Sequence, residues 1–504
     1  MWIRLRKSDL ATVIHYSGMF IVGLGFVMLV PLLTAALAGE WEPASQYLFS
    51  MGLTLTVGFA MMLVHKGGGR VSHQHALMIA AFSWLAASLL AAVPLSLSSN
   101  YLSYLDAFFD SVSGLTTSGL TVVTDLDHMA YAHNMWRHLL HLVGGQGIIV
   151  AALSFAVGVR GGAFALYLAE ARDEKVMPNV VNTARFIWFV TGVYVSLGTA
   201  VLFVHHLVRG MTAGRAFLHA FWIVIAAYDT GGFAPQSMNA LYYHSWVFEA
   251  ITVMLMMAGA LNFTLHAAVW RGRRSEMWKN IETRTLAVSI FMISMLVGVG
   301  LARDSSYSGP LEVIRKGLYH LVSAHTGTGH QTLYAAHWSS QYSEAALIGI
   351  ILAMGLGGAV SSTAGGIKAL RLGLLFKTIV RNVREAASPK SALVQTRYHH
   401  VRDKILSPEL AGTVLIFFTT YVLAYITGGI IGTLYGYPLD AAMFESVSAT
   451  ANVGLSMGIT NADMETGMKL LYILQMWIGR LEFVAVFVFA GHLLNLIPWP
   501  RRKR

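Results

Sequence analysis

The 504 residues include 35 Lys and Arg, 25 Asp and Glu and 20 His, and the formal net charge is +10. Hydrophobic residues make up 55% of the chain and charged residues only 12%, in apolar runs long enough to span a bilayer, which is typical of a polytopic helical membrane protein. The absence of cysteine excludes disulfides, iron-sulfur clusters and thiol catalysis.

The first apolar run follows a basic head, an order that signal peptides and membrane spans share. Residues 11–38 are too long for a signal-peptide core and carry no clear small-residue cleavage site, so we expect a retained first span. Nine further candidates follow, and an even total is what two termini on one side require. The predicted spans are 11–38, 46–64, 75–97, 137–160, 184–207, 245–270, 283–303, 343–380, 409–435 and 467–497.

Most of the Lys and Arg residues lie in alternate loops between these spans. By the positive-inside rule such loops face the cytoplasm, and both termini with them, so topology explains the positive charge better than contact with nucleic acid. The basic segments are 1–10, 65–73, 160–185, 271–284, 368–404 and 501–504.

Four of the outer connections contain a short helical segment, too short to span, and then a glycine-containing strip. FFDSVSGLTTSGL and MFESVSATANVGL match at an acidic residue, at Ser-Val-Ser and at a later glycine. LVSAHTGTGH keeps Val-Ser and the glycine, and FWIVIAAYDTGGF keeps only the final glycine. The unit of span, short helix, strip and span thus occurs four times, with aligned glycines at Gly119, Gly232, Gly329 and Gly454.

This repetition predicts the fold class and the division of the chain. We expect an all-α polytopic membrane protein with four span-pore helix-filter-span repeats around a central pore, preceded by two extra transmembrane helices. The expected boundaries are 1–70 for the two extra spans, then 71–175, 176–275, 276–400 (with a glycine-rich loop) and 401–504 for the repeats.

The strips are candidates for an ion-selectivity filter. Non-helical backbone at membrane depth persists only where protein buries it or where it lines a watery path, and rings of carbonyls replace the hydration shell of a cation. Glycine allows the torsions, and the C-terminal end of each short helix favours a cation. Close packing between helices is the competing explanation. The predicted filter residues are Thr116, Thr117, Ser118, Gly119, Thr230, Gly231, Gly232, Thr326, Gly327, Thr328, Gly329, Asn452, Val453 and Gly454.

Other acidic residues accompany the strips. Asp110 and Glu445 are expected near the starts of two short helices, where a carboxylate suits the positive end of the helix dipole. Asp229 either concentrates cations at the entrance or caps a backbone group, and both interpretations stay open.

Within the predicted span 343–380, GLGGAVSSTAGGIK places five glycines in twelve residues. An ordinary helix does not sustain this, because each glycine costs about 1 kcal/mol relative to alanine. A flexible loop under the filter is the prediction, and a close-packed helix crossing is the alternative.

Together the strips and four further segments resemble the Trk/Ktr/HKT superfamily of potassium transporters, most closely the membrane-embedded subunit of bacterial Trk systems. The resemblance covers essentially the whole chain. It is carried by DSVSGLTTSGLTVV, HLVGGQGIIV, GALNFTLH, GLGGAVSSTAGGIKALR and MWIGRLEFVAVFVF.

The resemblance implies a channel-like pore in one chain, potassium as the transported ion, and a homodimer in the bacterial cytoplasmic membrane with both termini inside. It also implies a cytosolic nucleotide-binding regulatory subunit as partner. The longest cytoplasmic loop, about 381–408, is too short to contain such a domain, so this regulation requires another chain. We expect no enzymatic activity, no cofactor bound by this chain and no nucleic-acid partner.

The resemblance also implies a gate. It makes the glycine-rich stretch an intramembrane loop that obstructs the pore, and it makes Arg480 a pore-facing charge that opposes leakage, although Arg480 could instead pair with a carboxylate such as Glu482. The predicted gate residues are Gly357, Gly358, Ser361, Ser362, Thr363, Gly365, Gly366, Lys368 and Arg480.

His330 stands where the family more often has an aromatic residue. Near the outer mouth it would either make flux depend on pH or be simply exposed and neutral. Two other functional classes also stay open. One is a symporter that couples potassium to protons or sodium. The other is a haem-binding redox subunit, suggested by the 20 histidines and by His138 and His141 on one helical turn.

Overall fold

The computed structural model describes residues 7–64, 71–147, 180–303, 309–389, 391–392 and 394–494. Four helices come first: α1 (Lys7–Val27), α2 (Leu29–Ala38), α3 (Trp41–Leu63) and α4 (His73–Ser96). A β-carbon built on Gly18 or Gly58 would lie closer than 3.0 Å to the facing helix. The two extra spans, α1 and α3, therefore pack backbone to backbone, as small residues allow in membranes.

The remaining helices follow the predicted order of span, short helix and span, but the last span of the second, third and fourth groups is broken into two helices. The first group continues with α5 (Tyr104–Leu115) and α6 (Tyr131–Gln146). The second contains α7 (Val180–Val208), α8 (Ala213–Tyr228), α9 (Trp246–Ala260) and α10 (Phe263–Trp270). The third contains α11 (Ile281–Ala302), α12 (Pro310–His325), α13 (Glu344–Gly355) and α14 (Ala369–Ala386). The fourth contains α15 (Pro408–Leu434), α16 (Leu439–Ala451), α17 (Thr466–Arg480) and α18 (Val484–Leu494).

Short elements connect these helices. Single turns of α-helix lie at Glu276–Lys279 and Trp338–Gln341, and 3-10 turns lie at Asn239–Tyr243 and Ala335–His337. An antiparallel hairpin of β1 (Arg397–His400) and β2 (Arg402–Ile405) follows α14. The sequence analysis predicted no strand, because these four-residue strands lie in a basic loop without an apolar alternation.

Six helical stretches in the described residues are long and apolar enough to cross a membrane, and eight if each bent pair is one span. The bent pairs are α9 with α10, at 101°, and α17 with α18, at 117°. The chain is thus a polytopic α-helical membrane protein. Predicted span 343–380 forms two helices separated by a loop, and the second half of predicted span 137–160 lies outside the described residues.

The breaks occur where the backbone leaves the helical region. Glu482 and Phe483, between α17 and α18, have φ of 52° and 68°, values that are unusual for residues with a side chain. Between α9 and α10, Asn262 caps the new helix by accepting a hydrogen bond from the Thr264 N–H. At both breaks the irregular backbone is buried, since Asn262, Glu482 and Phe483 are buried residues.

Candidate ion-selectivity filter and gate

The four short helices α5, α8, α12 and α16 end in strips that share one backbone conformation. In each strip φ is positive at the aligned glycine and at the residue two positions before it, so divergent sequences adopt the same path. Threonine and asparagine take this left-handed conformation at a cost that glycine avoids. The φ angles are 55° at Thr117, 50° at Thr230, 71° at Gly327 and 55° at Asn452, then 78°, 73°, 84° and 96° at Gly119, Gly232, Gly329 and Gly454.

Backbone N–H groups of the strips close the ends of the short helices. In each strip the residue before the aligned glycine donates its N–H to the carbonyl five residues earlier. This satisfies a carbonyl near the end of the helix and fixes the orientation of that peptide. The distances are 2.8 Å from Ser118 to Ser113, 2.8 Å from Gly231 to Ala226, 2.8 Å from Thr328 to Ser323 and 2.9 Å from Val453 to Ser448.

The strips meet one another in cyclic order. A β-carbon built on each aligned glycine would lie closer than 3.0 Å to a carbonyl oxygen of the next strip, and the fourth strip returns to the first. We call these eight residues, one glycine and its predecessor from each strip, the filter ring. The contacts run from Gly119 to Gly231, from Gly232 to Thr328, from Gly329 to Val453 and from Gly454 to Ser118.

A second set of glycines, which the sequence analysis did not identify, seats the short helices against the broken ones. A β-carbon on Gly144, Gly259 or Gly479 would lie closer than 3.0 Å to a carbonyl oxygen at the end of α5, α8 or α16, respectively. The signal was present, because each of these glycines lies in an apolar stretch at the same point of its repeat.

The expectation for Asp110 and Glu445 was wrong. Both lie in the middle of their short helices, where a charge gains little from the helix terminus. Asp110 accepts hydrogen bonds from Arg137 Nε at 2.8 Å and from the Tyr101 hydroxyl at 2.9 Å. Glu445 binds the segment after the fourth strip, including the Thr460 hydroxyl at 2.7 Å. These carboxylates hold the strips in place instead of stabilising helix starts.

The acidic residue in the first turn of α5 is Asp106, and it forms an ion pair across the molecule. Lys469 Nζ on α17 lies 2.6 Å from Asp106 Oδ1, and both side chains are buried. The pair joins the first and fourth repeats. Arg137 connects the first repeat to the second. Its guanidinium donates to Thr121 at 3.1 Å and lies 4.1 Å from the Phe233 ring centre.

The glycine-rich stretch forms an irregular loop, residues 356–368, between α13 and α14, and we call it the gate loop. Thr363 connects it to the second strip, since Thr363 Oγ1 is 3.1 Å from Thr230 Oγ1 and donates to the Gly259 carbonyl at 3.0 Å. On the other side, a β-carbon on Gly365 would lie closer than 3.0 Å to the Ala451 carbonyl oxygen, just before the fourth strip.

The glycines of the gate loop have separate roles in its shape. Gly366 has φ of 70°, and Gly357 has no room for a β-carbon because the Gly365 carbonyl lies against it. The two arms of the loop are joined by hydrogen bonds from Gly357 N to Ile367 O and from Ile367 N to Gly355 O, at 2.9 and 3.2 Å. The loop is therefore a compact, hydrogen-bonded unit and not an open coil.

Arg480, the last residue of α17, joins three parts of the site. Its guanidinium donates to Thr117 Oγ1 in the first strip at 2.9 Å, to the Thr363 carbonyl of the gate loop at 2.7 Å and to the Gly144 carbonyl at 2.6 Å. Glu482 instead accepts a hydrogen bond from Arg371 of α14. The positive charge of Arg480 thus lies directly between the first strip and the gate loop.

Several predicted gate residues line one polar cavity beside this junction. The Lys368 ammonium donates to the Ala364 carbonyl and so remains with the gate loop. The residues around the cavity include Ser361, Ser362, Gly365, Lys368, Arg480 and Glu482. Lys368 and Arg480 are the cationic residues of this lining, and Glu482 is its acidic residue.

Two residues that the sequence left open have defined partners. Asp229 is buried and accepts a 2.6 Å hydrogen bond from Gln146 Nε2. His330 is fully buried, not exposed, with Nδ1 at 2.9 Å from Asn239 Oδ1. Burial follows because the segment after the third strip packs against the corresponding segment of the second.

His138 and His141, the histidines behind the haem alternative, pack inside the repeat. His138 Nδ1 lies 2.7 Å from the Asn134 carbonyl, and the His141 ring stacks on Phe233 with 4.2 Å between ring centres. Both imidazoles serve as packing groups behind the second strip.

Comparison with known proteins agrees with this architecture. The family described as TrkH, a cation transport protein, matches residues 47–495. An uncharacterised cation transporter of Methanocaldococcus jannaschii is 29% identical over 96% of this chain and 96% of its own length. The Trk system potassium uptake protein TrkH of Halomonas elongata is 28% identical over 95% of this chain and 98% of its own length.

A solved structure shares the fold. The crystal structure of the potassium transporter TrkH from Vibrio parahaemolyticus superposes with a TM-score of 0.80 and 24% identity, covering 97% of this chain and 99% of that one. Since the family match extends over most of the sequence, this chain belongs to the TrkH family of cation transport proteins.

Proposed function

We propose that this protein takes up potassium across the cytoplasmic membrane through a channel-like pore. The observation that carries the proposal is the closed cycle of contacts in the filter ring, in which each aligned glycine touches a carbonyl of the next strip. Strips that close into one ring bring their carbonyls together, and rings of carbonyls replace the water shell of a dehydrated cation. The names of the relatives in Halomonas elongata and Escherichia coli, which are Trk system potassium uptake proteins, support potassium as that cation.

The short helices add a favourable field to the ring. The carboxyl ends of α5, α8, α12 and α16 all lie at their strips, so four partial negative charges are directed toward one region. The hydroxyls of Thr116 and Ser118, 2.8 Å apart, and those of Thr326 and Thr328, also 2.8 Å apart, support two of the strips. These side-chain hydrogen bonds stiffen the two strips and involve no backbone carbonyl of the ring.

The gate loop with Arg480 is the barrier in this proposal. Gly357, Gly358, Ser361, Ser362, Thr363, Gly365, Gly366 and Lys368 form or line the obstruction, and Arg480 supplies a fixed positive charge that repels a cation leaving the filter. Opening requires the loop to exchange its bonds with the second strip and Arg480 for other partners. The compact hydrogen bonding of the loop favours movement as a unit.

Regulation and assembly complete the proposal. A cytosolic nucleotide-binding subunit shifts the gate loop, and the transporter works as a homodimer with both termini in the cytoplasm. The basic segments lie in alternate loops between the predicted spans, and they support this orientation. A symporter that couples potassium to protons or sodium is the second candidate, because its ion path would use the same ring.

The test is uptake of rubidium into potassium-loaded liposomes that contain the purified chain, with external potassium or sodium as competitor. We expect potassium to block uptake far better than sodium, and we expect Gly119→Ser to remove the difference, since its side chain would meet the Gly231 carbonyl. Gly298→Ser is the matched control, because nothing lies within 4 Å of a β-carbon there.

Flux that is equally selective in Gly119→Ser and Gly298→Ser would contradict a filter at the ring. Uptake that follows an imposed proton or sodium gradient, at constant potassium gradient and voltage, would favour the symporter over the channel.

A further inference from the structure

Glu282, in the first turn of α11, is buried at 2% exposure, although the filter and the gate as described do not use it. Its position is fixed by Asn280, which caps α11 by accepting a hydrogen bond from the Glu282 N–H at 2.9 Å. A buried carboxylate is retained only where several donors compensate its lost hydration. The donors of Glu282 come from three different parts of the chain.

Two of these donors belong to the gate region. Val360, in the gate loop, donates its N–H to Glu282 Oε1 at 2.6 Å. Asn262, at the break between α9 and α10, donates its side-chain amide to Glu282 Oε2 at 3.0 Å. The preceding residue of the loop also contacts this break, since the Ala359 N–H donates to the Ala260 carbonyl at 2.9 Å. Glu282 therefore holds the gate loop against the broken helix.

The third partner lies in the β hairpin after α14. His400 Nε2 is 3.0 Å from Glu282 Oε2, and the side chains are 1% and 2% exposed. The other strand of the hairpin, β2, is exposed along its whole length. One end of this connection thus reaches solvent on the hairpin, and the other end reaches the backbone of the gate loop.

We propose that Glu282 is a positioning residue that couples the hairpin to the gate loop, so that displacement of His400 releases Val360 and loosens the gate. The inference deepens the proposed function, because it names the route by which a cytosolic partner acts on the obstruction. The connection from His400 to Val360 is stiff, because both residues bind the Glu282 carboxylate through charge-assisted hydrogen bonds.

The experiment uses the natural absence of cysteine. Ser362→Cys, at the cavity beside the gate loop, reports loop opening through the rate at which its thiol reacts with a charged, membrane-impermeant reagent applied from the hairpin side. We expect His400→Ala to raise this rate about tenfold, the usual effect of losing one hydrogen bond to a charged group. His400→Gln, which retains a side-chain N–H donor, should restore most of the slow rate.

The matched control is Arg402→Ala, because Arg402 lies directly opposite His400 in the hairpin and its side chain is exposed. It should leave the rate unchanged. Glu282→Gln is the second variant, since it removes the charge that His400 binds but retains an acceptor for Val360; it too should raise the rate. A rate in His400→Ala and Glu282→Gln equal to that of the parent would overturn the coupling.

Rubidium flux through the cysteine-free chain distinguishes a failure of this inference from a failure of the proposed potassium uptake. If His400→Ala speeds the thiol reaction of the Ser362→Cys protein, and rubidium flux through the loosened chain is blocked equally by sodium and potassium, the coupling stands and the filter is refuted. Selective flux, combined with a thiol reaction that His400→Ala does not change, would refute the coupling and leave the filter standing.

Discussion

Arg480 gives the sharpest prediction about the closed pore, through the variant Arg480→Gln. Its guanidinium nitrogen lies 2.9 Å from Thr117 Oγ1. A cation held by that hydroxyl would be roughly 6 Å from the charge, where two like charges repel by about 3 kcal/mol at an effective dielectric constant near 20. Arg480 is only partly buried, so solvent screening reduces this value. We therefore expect the variant to raise rubidium flux between tenfold and about a hundredfold.

The control separates charge from hydrogen bonding. Arg480→Lys keeps the positive charge but loses the fork that binds Thr117, Thr363 and Gly144 together. Flux through both variants is measured as rubidium uptake into the same liposomes. If the charge forms the barrier, the Gln variant conducts more than the Lys variant. Equal increases would assign the barrier to the hydrogen bonds, and no increase in either would refute a gate at this residue.

Three further predictions concern stability and the strips. Gly329→Ala should lower the melting temperature and abolish potassium preference. Gly298→Ala, inside α11, should keep potassium preference and raise the melting temperature slightly, because alanine favours a helix by about 1 kcal/mol over glycine; a loss in both variants would contradict the crowding at the ring. Arg137→Met strands the buried carboxylate of Asp110 and should cost about 3–5 kcal/mol of unfolding free energy, and a loss below 1 kcal/mol would show that the pair is not needed. Two neighbouring carboxylates raise the pKa of His399, so its stabilising contribution is complete below the ordinary pKa of histidine and is lost as pH rises through the raised value. His399→Gln should flatten the dependence of melting temperature on pH in that window, and an unchanged slope would argue against the ion pairs.

The fold class and the positions of the strips could be predicted from the sequence, because both depend on local signals. Apolar runs define spans, and glycine next to small polar residues marks backbone that leaves the helix. Even the divergent second strip, with its single shared glycine, takes the same torsions at Thr230 and Gly232. The roles assigned to the filter and gate residues stay predictions until flux is measured.

Long-range partners could not be predicted. Asp110 and Glu445 were interpreted through the helix dipole, but their hydrogen bonds run to Arg137 and to the segment after the fourth strip. Glu282 is separated from Val360 by 78 positions and from His400 by 118, and no local pattern pairs such residues. The available signal was the position of Glu282 at the start of an apolar span, because a carboxylate buried there requires hydrogen-bond donors from other parts of the chain.

The cyclic contacts of the filter ring also determine which substitutions can influence one another. The closest contact at each interface pairs one glycine with one carbonyl of the next strip. Gly119 joins the first and second strips and Gly329 joins the third and fourth, whereas Gly454 joins the fourth strip to the first. The changes in unfolding free energy caused by two substitutions should therefore be closer to additive at opposite interfaces than at adjacent ones. Because all four repeats lie in one chain, the ring can be altered one interface at a time, which a ring made of four identical subunits does not allow.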